Sequence, residues 1–273
     1  MRQRLVSVGI LMVVAGTTQT VRAQDQSSDR REQPMALAAV QPPPVAAPGT
    51  PAPPATPAAA PRFNVTAGTE FLASSSYVWR GFQPNGSFSV QPNTWVKIDN
   101  LTVSSWMNIA RRHVEHRPIT EHDLTVDYSA TRGAFTWSAG WINYVFPEVP
   151  AGQSGRYSNE LYAGFSHGSY LNPSFRVYQD VHAGTGTYVN VGVSHAYPVV
   201  SSKVTLMPSV ALGYNHKQWI DVSTFSDLNL GLRLTVPGPV KRLWLAPFIN
   251  YSRSLDRAVL ESKTYGGLSV AVR

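Results

Sequence analysis

The 273-residue chain contains no cysteine, few charged residues and no long apolar run beyond its first 23 residues. Without cysteine it can form neither disulfides nor thiolate metal sites. An exported chain without disulfides is more typical of a bacterial envelope protein than of a small secreted scaffold. Charged residues make up only 14% of the chain, fewer than a soluble surface normally carries. No later stretch reaches the ~18 consecutive apolar residues of a transmembrane helix.

The first 62 residues divide into two segments of different composition. Residues 1–23 have a basic start and a short apolar stretch, and they end in V-R-A, which predicts a cleavable signal peptide. A single-pass anchor is the alternative, but the apolar stretch is too short to span a bilayer. Residues 24–62 are rich in proline and alanine and predict a disordered, extended periplasmic tether. The segment 63–273 is therefore the folding part of the chain.

Apolar and polar residues alternate throughout this segment. In 226–236 the residues Leu228, Leu230, Leu232, Leu234 and Val236 form one stripe, and polar or small residues form the other. Alternation over about ten residues predicts strands of a sheet with one apolar face. Twelve such runs can be placed, at 65–79, 87–98, 101–110, 121–131, 134–146, 158–168, 173–183, 187–197, 203–214, 225–236, 243–253 and 264–272.

The connections between these runs alternate in length. Brief turns follow the second, fourth, sixth, eighth and tenth runs, whereas longer polar loops follow the third, fifth, ninth and eleventh. The connection after the seventh run, near G-T-G, is an exception. Short turns at one end and longer loops at the other are typical of outer-membrane barrels. The sequence therefore predicts an all-β fold, a transmembrane antiparallel up-and-down β-barrel of about 12 strands. A soluble exported β-barrel or sandwich that acts as a binding module remains the alternative.

The sparse charges of the predicted strands fall opposite the apolar stripe. An Arg or Lys that faces lipid at mid-depth costs about 2–4 kcal/mol, so these side chains are expected to line the lumen. The predicted lumenal charge network comprises Glu70, Arg80, Lys97, Asp127, Glu160, Arg176, Asp180 and Arg233. Within it, Arg80 is expected to reach a carboxylate such as Glu70, Asp127 or Glu160.

Aromatic residues cluster towards the ends of the runs, as in the girdles of membrane barrels. The predicted outer girdle consists of Tyr77, Trp79, Trp137, Trp141, Tyr144 and Tyr214. Trp106 and Trp244 fall on the polar face, so either they fill the lumen or the assigned register slips there.

Two short motifs resemble those of a known family. The stretch S-S-Y-V-W-R-G-F-Q at 75–83 resembles a first-strand Y-x-[FW]-R-G motif, and Y-G-G-L-S-V-A-V at 265–272 resembles a closing strand. The family consists of small exported Gram-negative proteins, largely conserved proteins without an assigned function and treated as outer-membrane barrels. The resemblance implies export to the bacterial outer membrane and supplies no catalytic residue. This chain departs from it in its longer tether.

An outer-membrane barrel would have membrane lipids, lipopolysaccharide and the outer-membrane assembly machinery as partners. That machinery usually reads an aromatic C-terminal residue, whereas this chain ends in Arg273. The modest excess of positive charge, part of which lies in the signal peptide, does not favour a nucleic-acid partner.

The interior of a twelve-stranded barrel is intermediate between a filled eight-stranded barrel and an open porin. This size favours a narrow channel for small polar solutes or a structural envelope barrel. A lipid-modifying, phospholipase-like enzyme is the alternative, with Ser194 and His195 as the adjacent serine and histidine. No separate serine motif supports it, so no catalytic residue is assigned.

The histidines of the 111–120 loop are candidates for a metal site. His113 and His116 flank Glu115 there, but neighbouring arginines favour lipopolysaccharide phosphate over a metal. No metal or other cofactor is therefore predicted.

Overall fold

The structure, a computed structural model, describes residues 63–111, 118–200 and 203–272. The predicted signal peptide and tether, His113, His116 and Arg273 lie outside the described residues. The strands are β1 (Val65–Ser74), β2 (Tyr77–Trp79), β3 (Phe82–Asn85), β4 (Ser89–Ile98), β5 (Leu101–Ala110), β6 (Ile119–Arg132), β7 (Phe135–Val145), β8 (Tyr157–His167), β9 (Ser174–Asp180), β10 (Thr187–Ser194), β11 (Tyr197–Pro198), β12 (Thr205–His216), β13 (Ser223–Pro237), β14 (Leu243–Ser254) and β15 (Lys263–Val272).

Twelve long strands form one closed antiparallel barrel. Each pairs with its neighbours along the chain, and β1 pairs with β15 to close the circle. The ladder between β10 and β12 bypasses the two-residue β11, which pairs only with β12. The predicted transmembrane up-and-down barrel of about 12 strands is confirmed. None of the described residues forms a helix long and apolar enough to cross a membrane.

Alternation determines which side chains face outwards. In β13, Leu230 and Leu232 lie on the exposed outer surface, whereas Asn229, Gly231 and Arg233 alternate with them on the lumenal side. The same period of two runs through the other long strands. The exterior of the barrel is consequently apolar, which is the arrangement that a lipid environment requires.

The two ends of the barrel differ in the length of their connections. At one end, here called the turn end, the connections are 99–100, 133–134, 168–173, 195–204 and 238–242. At the other, called the loop end, they are 75–88, 111–118, 146–156, 181–186, 217–222 and 255–262. These names describe the two ends throughout.

The first loop-end connection is an inner hairpin, formed by β2 and β3. Its two-residue turn, Arg80–Gly81, has φ values of 42° and 83°, which is the positive-φ pattern of a type I′ hairpin turn. Gly81 is required there because a Cβ atom would lie 3.0 Å from Leu260 Cδ1 in an unfavourable backbone conformation. An arginine with positive φ is uncommon and signals a position held by its surroundings.

The inner hairpin lies inside the barrel. Tyr77, Val78, Trp79 and Arg80 are all buried. Tyr77 contacts Glu121 on β6, whereas Arg80 contacts Glu160 on β8. The hairpin leaves the wall between β1 and β4, and its tip reaches β8. It therefore extends across the lumen. The predicted first strand, 65–79, was therefore too long, since β1 ends at Ser74 and the chain then turns inwards.

Candidate functional site

Arg80, at the tip of the inner hairpin, is the centre of the buried lumenal site. Its two terminal nitrogens donate to the two Glu160 oxygens over 3.0 and 2.9 Å. One of them also donates to the Gln218 side-chain oxygen. Only 4% of Arg80 and none of Glu160 is exposed. This bidentate geometry is the strong form of an arginine–carboxylate pair.

Aromatic rings enclose the guanidinium. Arg80 Cζ lies 4.5, 4.0 and 4.4 Å from the ring centroids of Trp79, Tyr178 and Tyr188. A desolvated cation over such rings gains electrostatic stabilisation from their π faces. Arginine remains protonated in proteins, and the bidentate Glu160 carboxylate further favours the charged form of the guanidinium. Arg80 therefore carries a fixed positive charge.

Glu160 connects the hairpin to two other parts of the wall. Tyr144 Oη donates to Glu160 Oε1 over 2.9 Å, and Gln218 Nε2 donates to Glu160 Oε2 over 2.6 Å. Gln218 is held in turn by Asn215, whose side-chain oxygen accepts the Gln218 backbone N–H over 2.8 Å. The hairpin is thus attached to β8, β7 and the 217–222 connection through one carboxylate.

Two further buried carboxylates at the loop end have full sets of donors. Asp180 accepts from the Ser158 hydroxyl at 2.8 Å and from the backbone N–H groups of His182 and Gly184 at 2.9 and 3.0 Å. It thereby fixes the 181–186 connection. Asp227 accepts from Ser226, Asn229 and, over 3.3 Å, Tyr188.

Glu121 and Asp123 form a buried carboxylate pair with few donors. They follow each other on the lumenal face of β6, with 0% and 1% of their surface exposed. Tyr77 Oη donates to Glu121 Oε2 over 3.2 Å. The two carboxyl groups are hydrogen-bonded to each other, and among the described residues no other donor reaches Glu121 Oε1 or the Asp123 oxygens.

The lumenal charges towards the turn end are more exposed. Arg233 and Glu70 form an ion pair of 2.8 Å in which both side chains are 17% exposed. Tyr162 Oη donates to Asp127 over 2.5 Å. Arg176 lies 5.2 Å from the Tyr162 ring centroid and donates to Ser138 over 3.3 Å. Lys97 lies half-buried on the lumenal face of β4.

The eight predicted lumenal charges thus divide into two groups. Arg80, Glu160 and Asp180 lie buried at the loop end, whereas Glu70, Lys97, Asp127, Arg176 and Arg233 lie half-buried elsewhere on the lumenal face. Of the three carboxylates expected to meet Arg80, the structure pairs it with Glu160. Sequence reasoning missed Glu121, Asp123, Asp227 and Gln218, although alternation already places Asp123 and Asp227 opposite the apolar stripes of their strands.

Half of the predicted aromatic girdle was wrong. Tyr77 and Trp79 are buried in the lumen because the hairpin carries them inwards, and Tyr144 is buried because it shares the lumenal face of β7 with Ile142. Trp137 is 55% exposed on the outer surface, with Phe165 5.4 Å away. Trp141 and Tyr214 also lie on the outer face.

Trp106 fills the lumen and does not mark a register slip. It lies on the lumenal face of β5, and its ring centroid is 5.6 Å from that of Tyr77. Trp244 lies on the lumenal face of β14, in register with Ala271.

Ser194 and His195 do not meet as a serine–histidine pair. Ser194 faces the lumen, whereas the His195 ring lies 4.1 Å from the Tyr170 ring and 4.3 Å from the Tyr197 ring. His195 Nδ1 contacts the Tyr170 carbonyl oxygen. A different pair, Ser105 Oγ and His122 Nε2, is hydrogen-bonded over 2.9 Å on the outer surface of β5 and β6.

Comparisons with known proteins give structural likenesses only. No protein-family model and no curated protein matches the chain. The crystal structure of Pseudomonas aeruginosa OccK1 (OpdK) is similar at 12% identity over 74% of this chain, with a TM-score of 0.36. The translocator domain of the autotransporter NalP from Neisseria meningitidis is similar at 11% identity over 80% of this chain, also with a TM-score of 0.36.

The chain covers 59% of the OccK1 structure and 90% of the NalP domain. Similarity at this level transfers neither residue roles nor activity to this chain.

Proposed function

We propose that this protein is an outer-membrane channel for small polar solutes and that its passage is controlled by the inner hairpin. The apolar exterior supports a membrane location, and the predicted signal peptide supports export to the outer membrane. The half-buried polar lumen towards the turn end supports a water-filled entrance. The buried pair between Arg80 and Glu160 carries the proposal, because it fastens a segment that is not part of the barrel wall across that lumen.

A purely structural barrel would have little reason to use such a pair. Replacing a buried ion pair by apolar residues of similar volume is often neutral or even stabilising. Apolar side chains would therefore close the lumen at least as well as Arg80, Glu160 and Gln218 do. A polar attachment can instead be broken and remade, since each partner can be hydrated when the hairpin moves.

Planar-bilayer recording of the refolded barrel tests this function. We expect rare, small openings of the wild-type protein and a higher open probability of Arg80→Ala, because Glu160 and Gln218 no longer hold the hairpin. Arg233→Ala removes an arginine from the half-buried pair with Glu70 and is the matched control. It should leave the open probability close to that of the wild type.

Thiol labelling follows the hairpin independently of current. Since the chain has no cysteine, Val78→Cys introduces a single thiol at a buried position. A water-soluble thiol reagent should modify it slowly, and much faster when Arg80→Ala is also present. If neither current nor labelling responds to Arg80→Ala, the channel proposal fails and a structural barrel is favoured.

A lipid-modifying enzyme is a second candidate, supported by the Ser105–His122 hydrogen bond on the outer surface. A serine nucleophile needs a base within hydrogen-bond reach, which this pair provides. Hydrolysis of a fluorescent phospholipid that is lost in Ser105→Ala would support this candidate. Equal hydrolysis by wild type and variant would exclude this serine as the nucleophile.

A further inference from the structure

The outer wall of the barrel carries an apolar depression near the turn end. It has a volume of about 300 Å³ and lies across β6, β7, β8 and β9. Ala139 and Ala163, which pair in register on β7 and β8, form its floor. Tyr128 and Val177 flank the two alanines in the same row of the sheet. Two small residues between larger neighbours therefore leave a hollow in the lipid-facing surface.

Aromatic rings bound this depression on the side of the turn end. Trp137 and Phe165 pair across β7 and β8 with ring centroids 5.4 Å apart, and Phe175 on β9 lies 5.6 Å from Phe165. Phe135, nearer the turn end, stacks on Trp137 at 6.0 Å. Aromatic side chains have few rotatable bonds, so this edge of the depression is formed in advance of any ligand.

A basic group lies directly beyond the aromatic edge, at the turn-end rim. Arg132, Phe135 and His167 form one row of the sheet across β6, β7 and β8. Alternation places Arg132 on the outer face, because Tyr128 two pairs before it faces outwards. Its side chain is exposed and forms no ion pair within residues 63–111, 118–200 and 203–272. An arginine without a carboxylate is free to bind a phosphate through two hydrogen bonds.

The ring of His167 packs against Phe135, with the centroids 4.6 Å apart, and adds a second polar group beside Arg132. From this row to the floor of the depression is four residues along β7, from Phe135 to Ala139, or about 13 Å. The rim therefore offers a cation at the level of a lipid headgroup, and the depression lies below it at the level of the acyl chains.

We propose that Arg132 and the depression form a binding site for one phospholipid molecule. Its phosphate contacts Arg132, and one of its acyl chains lies over Ala139 and Ala163. The short connections of outer-membrane barrels face the periplasm, and the periplasmic leaflet consists of phospholipids. This inference goes beyond the proposed channel function and does not depend on it.

The arginine is what distinguishes this site from the rest of the lipid-facing wall. Any acyl chain gains dispersion contacts by filling a hollow, but lipid tails are as apolar as the side chains and do not prefer one molecule to another. A phosphate held at a fixed distance from the hollow provides that preference.

The size of the depression favours a lipid over a second copy of the chain. Ten residues line it, whereas a stable protein–protein interface uses about 20–30 residues on each side. A single acyl chain needs no more surface than the depression offers.

Native mass spectrometry of the refolded barrel with added phosphatidylglycerol tests the headgroup contact. The wild-type barrel should keep one phospholipid after the detergent is removed. Arg132→Ala should weaken binding about tenfold, as expected for the loss of a hydrogen bond to a charged group. Lys241→Ala removes an exposed cation in another connection of the same end. It is the matched control and should bind like the wild type.

Diacylglycerol, which lacks the phosphate, separates the headgroup from the chains. The wild-type barrel should bind it about as weakly as Arg132→Ala binds phosphatidylglycerol, and Arg132→Ala should not weaken its binding further. Equal binding of the two lipids by the wild type would overturn the role of Arg132 and with it the proposed site.

Filling the depression tests the acyl-chain contact. Ala139→Leu places a larger apolar side chain on the lipid-facing surface, so the barrel should still fold, as heat-modifiability on gels would show. The variant should lose most of the bound phosphatidylglycerol. Ala67→Leu is the matched control, because Ala67 is an exposed alanine near the turn end of β1, and it should keep the lipid.

Fluorescence locates the bound chain independently of mass. Phosphatidylglycerol with brominated acyl chains should quench the wild-type tryptophan emission, and Trp137→Phe should remove part of this quenching. A wild-type barrel that keeps no phospholipid, or equal retention by Ala139→Leu, would overturn the site. A dimer that dissociates in Ala139→Leu would also overturn it, in favour of a contact between two copies of the chain.

Discussion

The two ends of the lumen use similar residue types in opposite ways. At the loop end, Arg80 and Glu160 are dry, enclosed by rings and bonded through the two terminal guanidinium nitrogens. Towards the turn end, Arg233 and Glu70 form a single contact that remains partly hydrated. An ion pair that is cut off from water is costly to break, whereas a pair that keeps partial access to water is less costly to break. Position in the barrel, more than residue type, decides what each pair does.

The largest expected difference in stability loss between the two ends is between the variants of the two arginines. Arg80→Ala should lower the free energy of unfolding by about 3–5 kcal/mol, because it leaves Glu160 buried without its cation. Arg233→Ala should lower it by less, about 1–2 kcal/mol, because Glu70 keeps the Ser269 hydroxyl and partial access to water. Urea unfolding in lipid vesicles, followed by tryptophan fluorescence, measures both. Equal losses in the free energy of unfolding would show that the two ends do not differ in hydration.

Removing a tyrosine hydroxyl at each end should give the next largest difference in stability loss. Tyr144→Phe removes a 2.9 Å donor from buried Glu160 and should cost about 1.5–3 kcal/mol, as for hydrogen bonds to charged groups. Tyr162→Phe removes the donor to the more accessible Asp127 and should cost about 0.5–1.5 kcal/mol, since water can replace it. The same unfolding experiment compares them, and a larger loss for Tyr162→Phe would contradict the expected order.

Alanine substitutions of two glycines compare how tightly the two ends of the lumen are packed. A Cβ atom on Gly186 would lie 2.2 Å from the Gln218 backbone nitrogen, so Gly186→Ala should displace Gln218 and cost about 1–3 kcal/mol. On Gly192, towards the turn end, the nearest atom would be 3.3 Å away, and Gly192→Ala should cost less than about 1 kcal/mol. Thiol labelling of Val78→Cys should also be faster when Gly186→Ala is added and Arg80 is kept. Unchanged labelling would mean that Gln218 does not hold the hairpin.

The smallest effect is expected at the rim, where Lys263 Nζ lies 2.7 Å from a Glu261 oxygen in an exposed pair. The hydrogen bond and charge of Lys263 lower the pKa of Glu261. Lys263→Ala should therefore raise this pKa towards its ordinary value, as NMR titration of the carboxyl carbon would show. A lowered folded-state pKa stabilises the protein above the unfolded-state pKa, and this contribution disappears as the pH falls through the folded-state pKa. A pKa that does not move in the variant would contradict the attribution to Lys263.

The sequence predicts the barrel wall better than its contents. Alternation identifies twelve strands and the lumenal face that carries Glu160 and Arg233, because every wall residue must face either lipid or lumen. It fails at Tyr77 and Trp79, because the pattern of β1 continues beyond Ser74 although the chain leaves the wall there. Nothing local distinguishes a strand that continues from one that turns inwards. The partners of Arg80 depend on contacts distant in sequence.

The inner hairpin also determines the order in which the protein can fold. Its turn forms locally, but Arg80 bonds Glu160 and Gln218, which lie 80 and 138 residues further along the chain. Contacts of such sequence separation form late, because long loops must close before they are made. The hairpin cannot dock until β8 and the connection between β12 and β13 are in place. A barrel whose wall has formed before this event would have its hairpin undocked, as in the proposed open channel. In that proposal, the last step of folding and the first step of opening are the same motion in opposite directions.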